Sequence, residues 1–365
     1  MRENFSVVIA RGDPVFAPGM PTLFTTTSFE FTSCPAFAGH DDGGHDEAER
    51  MAKSARKKTR KKSPSELATI IDLVRYAVSR FRAAKLVFAH GTTDPVVEAA
   101  FLVGEALHLP PERFDAFSRA HVTAKERAAV LRLIERRVRT RKPAAYLVRK
   151  SYIQGVPFYV DERVIVPRSY LGEILAGDLF ADDSSALIDP AGVTRVLDLC
   201  TGSGCLAILA ALRFPAASVD AVDLSEDALA VARINVADHA LGERVRLLHG
   251  DLFAPLGDAR YDLILTNPPY VDAAGMAGLP PECLHEPKLA LAGGTDGLSV
   301  VRRIIADAPR HLTATGGLLC EVGRGREPVE RAFPTTPFLW LDTEDSTGEV
   351  FWVDAKGLGS FPRMG

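Results

Sequence analysis

The apolar positions divide the chain into three regimes. From Ser63 to Lys142 they recur at helical spacing, between about 144 and 166 they fall in short β-rich runs, and from Arg195 onward short β-forming runs alternate with helical stretches. Ser63-Pro64-Ser65-Glu66 reads as a capping box with proline at the first helical position, ahead of Leu67, Ile70, Ile71, Val74, Val78 and Phe81. Asp94-Pro95 opens a second helix with Val97, Phe101 and Leu107 on one side. Thr123-Ala124-Lys125-Glu126 repeats the capping box before Val130, Leu131, Ile134 and Val138, and Pro143 stops that helix. These helices predict a small bundle over 63–143 that carries no chemistry of its own and is suited to recognition or shielding. Arg132, Arg136, Arg137, Arg139, Arg141 and Lys142 on its last helix are expected to form a solvated basic face.

Ser151-Tyr152-Ile153, the turn Gln154-Gly155, Phe158-Tyr159-Val160 and Val164-Ile165-Val166 predict a β-hairpin linker over 144–168, followed by a helix capped by Ser169 and containing Leu171, Ile174 and Leu175. Strands are then expected at Arg195–Leu199, Ser218–Val222, Val245–Leu248, Tyr261–Leu265, Gly317–Val322, Phe338–Leu341 and Val350–Val353, with helices through Leu206–Ala210 and Leu229–Val236. That alternation predicts an α/β domain over 169–356 with a mostly parallel, doubly wound sheet, leaving 357–365 as a tail.

Residues 1–62 are expected to form a disordered, basic tail. Val7, Val8 and Ile9 lack a period long enough to bury a face, and Gly39–Glu47 reads as a solvated linker. Seven of the ten residues from Lys53 to Lys62 are basic, a block that is either a solvated tail or a weak attraction to RNA. Met51, just before it, is a candidate start of the native protein, which N-terminal sequencing would decide. With 365 residues, 47% hydrophobic and 25% charged, the chain has room for two globular domains. A net charge of −4 supplies no global attraction to nucleic acid or membrane, and no apolar run is long enough to span a bilayer. The five cysteines, Cys34, Cys200, Cys205, Cys283 and Cys320, are scattered and never form C-x-x-C, which argues for a reducing, cytoplasmic compartment and against a zinc site.

Candidate chemistry falls at four consecutive strand ends. Thr201-Gly202-Ser203-Gly204 follows the first strand and lets backbone approach a ligand at a helix N-terminus. Asp223 ends the second strand, placed to accept from ribose hydroxyls, and Asp251 ends the third, where a carboxylate could take an adenine amino group while Phe253 covers the ring. Asn267-Pro268-Pro269-Tyr270 ends the fourth. Its prolines have no N–H, its carbonyls are free to bind outward, and Asn267 both donates and accepts. Alone this corner is an ordinary turn with Asn as its Asx former. The glycine loop alone would also pass for a dinucleotide site, but Asp198 within the preceding strand opposes a pyrophosphate and suits a cationic ligand with an amino-acid end.

Asp198-Leu199-Cys200-Thr201-Gly202-Ser203-Gly204-Cys205 together with Asn267-Pro268-Pro269-Tyr270 resembles the HemK/PrmB-type protein-glutamine N5-methyltransferases. Val166-Pro167-Arg168-Ser169, His285-Glu286-Pro287, Leu289-Ala290-Leu291 and Gly294–Leu298 are similar to that family's linker and post-motif segments, so the resemblance covers about 65–355. It implies a class I, Rossmann-like methyltransferase fold, S-adenosylmethionine as cofactor, and a site in which Asp198, Cys200 to Gly204, Asp223, Asp251, Phe253 and Asn267 hold the cofactor. Asn267, Pro268, Pro269 and Tyr270 would hold the substrate, with Asn267, Pro268 and Tyr270 catalytic and no metal. Leu199–Cys205 and Leu279-Pro280-Pro281-Glu282 look most like the PrmB branch, whose target is ribosomal protein L3; the release-factor branch more often has glycine where Cys200 stands. The implied partner is thus a protein, ribosomal protein L3 before a release factor, with no membrane and no nucleic acid as direct substrate.

An amide nitrogen is a poor nucleophile because its lone pair is shared with the carbonyl. The expected solution is a clamp in which Asn267 Oδ1 and the Pro268 carbonyl accept the two amide hydrogens, while Tyr270 packs on the substrate side chain or simply covers the core. An adenine amino-methyltransferase that extrudes its base is a second reading, disfavoured by the acidic balance. A cofactor-binding factor with a vestigial site is a third, disfavoured by the intact Asn267 and prolines.

Overall fold

A computed structural model describes residues 6–8, 66–180, 187–344 and 346–359. The helical region comprises helices at Ile70–Ala83, Pro95–Ala106, Phe114–Phe117 and Ala124–Thr140, closed by a short one at Ala144–Val148. Leu73, Ala77, Phe81, Leu102, Val103, Val130 and Ile134 fill its core. The first helix begins later than its pattern suggests, and Ser63 to Ser65 lie outside the described residues. Thr69 is the cap, in a capping box with Asp72, because Thr69 bridges His121 and the Val122 N–H bonds the Ala68 carbonyl, holding that backbone extended. The second and third caps are Asp94 and Thr123 as predicted. The second helix nevertheless buries Ala99, Leu102 and Val103, leaving Val97 and Phe101 on its shoulder, because Glu98 is turned inward to meet Arg137.

The basic face also departs from expectation. Arg137 is fully buried, its Nε donating to Glu98 Oε1 at 2.8 Å, and Arg141 pairs with Glu282 at 2.6 Å. A buried guanidinium survives only with such partners, and spacing along one helix does not reveal partners on other elements.

Among the described residues there are ten strands, β1 (Ser6–Val8), β2 (Ser151–Ile153), β3 (Val156–Phe158), β4 (Arg195–Leu199), β5 (Ser218–Asp223), β6 (Val245–His249), β7 (Tyr261–Thr266), β8 (Leu312–Glu321), β9 (Leu339–Asp342) and β10 (Val350–Asp354). β2 and β3 form the predicted hairpin, with Gln154 and Gly155 both at positive φ as a two-residue turn requires. Val164–Val166 adds no third strand. Its polar groups go to side chains instead: the Val164 carbonyl accepts from Tyr146 Oη and the Val166 N–H donates to Glu286.

The other eight strands form one sheet in the order β1-β9-β10-β8-β7-β4-β5-β6. The ladders from β8 through β7, β4 and β5 to β6 are parallel, and β10 is inserted antiparallel between β8 and β9. β1 extends the far edge, so the expectation of an unfolded 1–62 fails at Ser6–Val8, where the unpaired edge of β9 offers a ladder that local pattern cannot show. The basic stretch Lys53 to Lys62 lies outside the described residues.

Helices cover both faces of the sheet. Leu206, Ile208 and Leu209 of the Cys205–Arg213 helix pack on one, and Val301, Ile304 and Ile305 of the Ser299–His311 helix on the other. Double coverage makes the inner strands continuous apolar runs, as β4 and β7 read, and confirms the doubly wound α/β class. Because β4 adjoins both β5 and β7, the strand order reverses there and opens a crevice at the carboxyl ends.

Candidate active site

The crevice begins at the loop after β4. Cys200, Gly202 and Gly204 all have positive φ, at 59°, 57° and 80°, so the chain winds tightly into the Cys205–Arg213 helix. Nothing stands within 4 Å of where a Gly202 Cβ would project, leaving open space beside that backbone. Two carboxylates shape the loop. Asp198 Oδ2 accepts from Thr201 Oγ1 at 2.6 Å and from the Ala207 N–H at 3.0 Å. Asp223 reaches across from β5, with Oδ2 accepting from the Gly202 N–H and Oδ1 from the Ser225 N–H, each at 2.8 Å. Burial raises the Asp198 carboxyl to about 7, and its Oδ1 is buried without a partner. Burial also raises Asp223, against the pull of its backbone donors.

One cavity gathers most of the expected site. Cys200, Thr201, Gly202 and Ser203 form one wall, Asp223 and Asp251 the next, and Asn267 with Pro269 the third. Asp198, Gly204 and Pro268 do not line it: they stand behind the wall, Gly204 against Ala232 of the following helix. Phe253 is also absent from the cavity. It is buried and stacked on His311 with ring centroids 4.6 Å apart, and Leu252, at a φ of 51°, lines the cavity in its place. The left-handed Leu252 turns the chain after the strand end, so Leu252 and not Phe253 faces the cavity. Asp251 is exposed and pairs with Arg303 at 2.7 Å, a contact that leaves it reachable from the cavity mouth. Burial disfavours the thiolate form of both cysteines, pushing Cys200 up and Cys205 up to about 12.

At the Asn267 corner Thr266 and Tyr270 are tied down and Asn267 is not. Thr266 Oγ1 donates to the Leu199 carbonyl at 3.0 Å, and Tyr270 Oη donates to Glu321 Oε1 at 3.0 Å. Gly297, at a φ of 78°, packs so closely that a Cβ would stand 2.4 Å from the Tyr270 carbonyl. Among the described residues, nothing hydrogen-bonds to the Asn267 amide or to the Pro268 carbonyl. The Asx-turn alternative needs the Asn side chain to bond nearby backbone, and here it does not. Tyr270 does not line the cavity; its hydroxyl anchors the corner to β8 rather than covering a substrate.

Several residues of the site escaped the sequence reading. Glu321, buried at the end of β8, accepts from Ser169 Oγ at 2.6 Å, the Tyr170 N–H at 3.0 Å and Tyr270 Oη, joining the linker to the corner. Burial raises its carboxyl to about 7. Asn235, also buried, donates to the Ser203 and Tyr159 carbonyls and accepts from the Tyr159 N–H, joining the linker to the glycine loop. Arg168 lines the cavity and is gripped by Glu286, which accepts at 2.5 and 2.9 Å. Arg168 and Glu286 fall in segments that resemble the family's linker and post-motif stretch, but the resemblance attaches no role to them; Glu321 and Asn235 stand out only as polar residues within apolar runs. His90, Cys283 and Glu286 are buried together, with ligand-type atoms within 4.8 Å of one another. Glu286 there is already committed to Arg168 and to the Val166 N–H, so the group reads as a charge-compensated junction between the helical region and the sheet domain.

A methyltransferase small-domain family model matches residues 184–279, the span that holds the glycine loop, Asp223 and the Asn267 corner. Fold and site therefore define a methyltransferase built on a doubly wound sheet. The ribosomal protein uL3 glutamine methyltransferase of Bradyrhizobium diazoefficiens is 69% identical over 295 residues, covering 80% of this chain and 92% of that protein. The like-named proteins of Burkholderia pseudomallei and Bordetella pertussis are 52% and 50% identical, covering 81% of this chain and 97% and 98% of theirs. The chain belongs to the family of ribosomal protein uL3 glutamine methyltransferases. No helix among the described residues is long and apolar enough to cross a membrane.

Proposed function

We propose that this protein transfers a methyl group from S-adenosylmethionine to the side-chain nitrogen of a glutamine in ribosomal protein uL3, in the cytoplasm. The observation that carries the reading is the Asn267 amide, which lines the cavity without an internal partner while Thr266 and Tyr270 are fastened. A corner with an unused carboxamide in the cavity wall, and an unpartnered Pro268 carbonyl set just behind it, is suited to accept both hydrogens of a substrate amide once the substrate chain seats against the corner. S-adenosylmethionine, when bound, supplies an electrophilic methyl group on a sulfonium centre. The residues fit that donor: the space beside Gly202 is open, and the Asp223 carboxylate in the cavity wall disfavours a phosphate and favours a cation or a ribose hydroxyl.

Asn267 Oδ1 and the Pro268 carbonyl would hold the –NH2 group in one orientation and draw electron density onto nitrogen as it attacks. Fixing two reactants in line contributes several kcal/mol toward the barrier, on the order of 7–11 at best. Exclusion of water strengthens both contacts as positive charge develops on nitrogen. No general base is required before attack, since the charged nitrogen sheds its proton readily afterwards. Asn267→Ala should lower kcat at least a hundredfold while donor affinity measured by calorimetry changes less than about threefold. Transfer to uL3 at near wild-type rate by the folded variant would refute the clamp.

A further inference from the structure

The Asn267 corner is tied at both ends to neighbouring strands. Before it, Thr266 Oγ1 donates to the Leu199 carbonyl at the end of β4; after it, Tyr270 Oη donates to Glu321 Oε1 at the end of β8. Only Asn267, Pro268 and Pro269 lie between these ties. Both prolines have a fixed φ, so little backbone freedom remains, and the placing of Asn267 and of the Pro268 carbonyl follows that of Tyr270. The Tyr270 ring seats against Gly323, which has a φ of 52° and where a Cβ would stand 2.6 Å from the ring. The other oxygen of Glu321 turns to the linker. Glu321 Oε2 accepts from Ser169 Oγ at 2.6 Å and from the Tyr170 N–H at 3.0 Å, and Ser169 Oγ accepts the Leu171 N–H at 3.2 Å. Pro167, Arg168 and Ser169 line the same cavity as Asn267 and Pro269, whereas Glu321 does not line it and is 1% exposed. One buried carboxylate is therefore the meeting point of the linker wall and the corner.

We infer that Glu321 is a positioning residue for methyl transfer: through Tyr270 it sets the corner, and through Ser169 and Tyr170 it sets the linker wall, so that a substrate amide in the cavity meets Asn267 and the Pro268 carbonyl in a reactive orientation. The inference rests on the glutamine-methylation reading above. Glu321 is not a catalytic residue, because it does not reach the cavity. Nor does it support the donor loop, whose hydrogen bonds run among Asp198, Thr201, Gly202, Asp223 and Ala207. Its loss therefore costs orientation at the corner and leaves donor binding in place. A misplacement of about 1 Å can cost about a hundredfold in rate. A glutamine at this position keeps the bridge, since its carboxamide oxygen accepts from Ser169 and Tyr170 while its –NH2 donates to the Tyr270 oxygen; an alanine keeps neither contact.

The test is methyl transfer from labelled S-adenosylmethionine to recombinant uL3 by the full chain and by Tyr270→Phe, Glu321→Gln and Glu321→Ala, each assayed well below its own Tm, with donor affinity read by calorimetry. Tyr270→Phe should lower kcat about tenfold and Glu321→Ala about a hundredfold, with donor affinity within twofold in both. Glu321→Gln should stay within about threefold of the wild type. Combining Tyr270→Phe with Glu321→Ala should lower kcat no further than Glu321→Ala alone, because both changes break one chain of contacts. A purely structural role would instead weaken donor binding in step with kcat. Wild-type kcat in folded Tyr270→Phe, a loss in Glu321→Gln as deep as in Tyr270→Phe, or donor affinity that falls together with kcat overturns the positioning role. Should Glu321→Ala not fold, Tyr270→Phe and Glu321→Gln decide the matter by themselves. Failure of the wild type to label any glutamine of uL3 overturns the functional reading instead, so the two failures are distinct.

Discussion

Glu286 is the residue whose loss should unsettle the site most without touching the chemistry. Its side chain is fully buried, grips Arg168 with both oxygens, accepts the Val166 N–H at 2.9 Å and lies 3.5 Å from His90 Nε2. Burial alone would raise its carboxyl; the Arg168 guanidinium overrides this and holds it well below the usual range. Glu286→Ala leaves a guanidinium and a buried N–H without acceptors. Removing one partner of a buried pair costs roughly 3–5 kcal/mol. Arg168 is 23% exposed toward the cavity, so water rescues part of its solvation and the lower figure applies. At about 2–4 °C per kcal/mol for a domain of this size, about 3 kcal/mol lowers Tm by some 6–12 °C in a thermal-unfolding scan. A depressed carboxyl contributes stability above its unfolded pKa and loses it only as pH falls through the folded one, so the gap between wild type and variant should be constant from pH 6 to 8. Glu286→Leu combined with Arg168→Met should recover most of the loss, because apolar replacement of both partners removes the uncompensated charge. A shift under about 2 °C, or a double variant no better than Glu286→Ala, would refute the account of this junction.

Two further outcomes test other parts of the site. Asp223→Ala should weaken binding of S-adenosylmethionine about tenfold or more by calorimetry, since a hydrogen bond to a charged group contributes roughly 1.5–3 kcal/mol; unchanged affinity would remove Asp223 from the donor site. Glu321 has a raised carboxyl, so the fold favours its protonated form; its contribution is fully present below about pH 4.5 and is lost as pH rises through about 7. Relative to Glu321→Gln, the wild type should therefore lose on the order of 3 kcal/mol across that window, from about 1.36 kcal/mol per pKa unit, and parallel stability–pH curves would contradict the assignment.

The chain by itself determined the sheet domain and the polar groups at its strand ends. β4 and β7 are continuous apolar runs that only a doubly covered sheet accommodates, and Gly202, Asp223 and Asn267 each end or follow such a run, where chain direction alone sends them to one edge. What it could not determine was whatever depends on a partner distant in sequence. Leu252 takes the cavity place expected of Phe253 because one positive φ turns the chain beyond the strand end. Tyr270 becomes an anchor because Glu321, 51 residues away, receives its hydroxyl. Arg137 is buried because Glu98 waits on another helix, and Ser6–Val8 is a strand because β9 has a free edge. Local periodicity reports which surface a residue prefers; charge pairing, edge pairing and backbone reversal are settled only when remote segments meet, since their energies belong to pairs of residues and not to either residue alone.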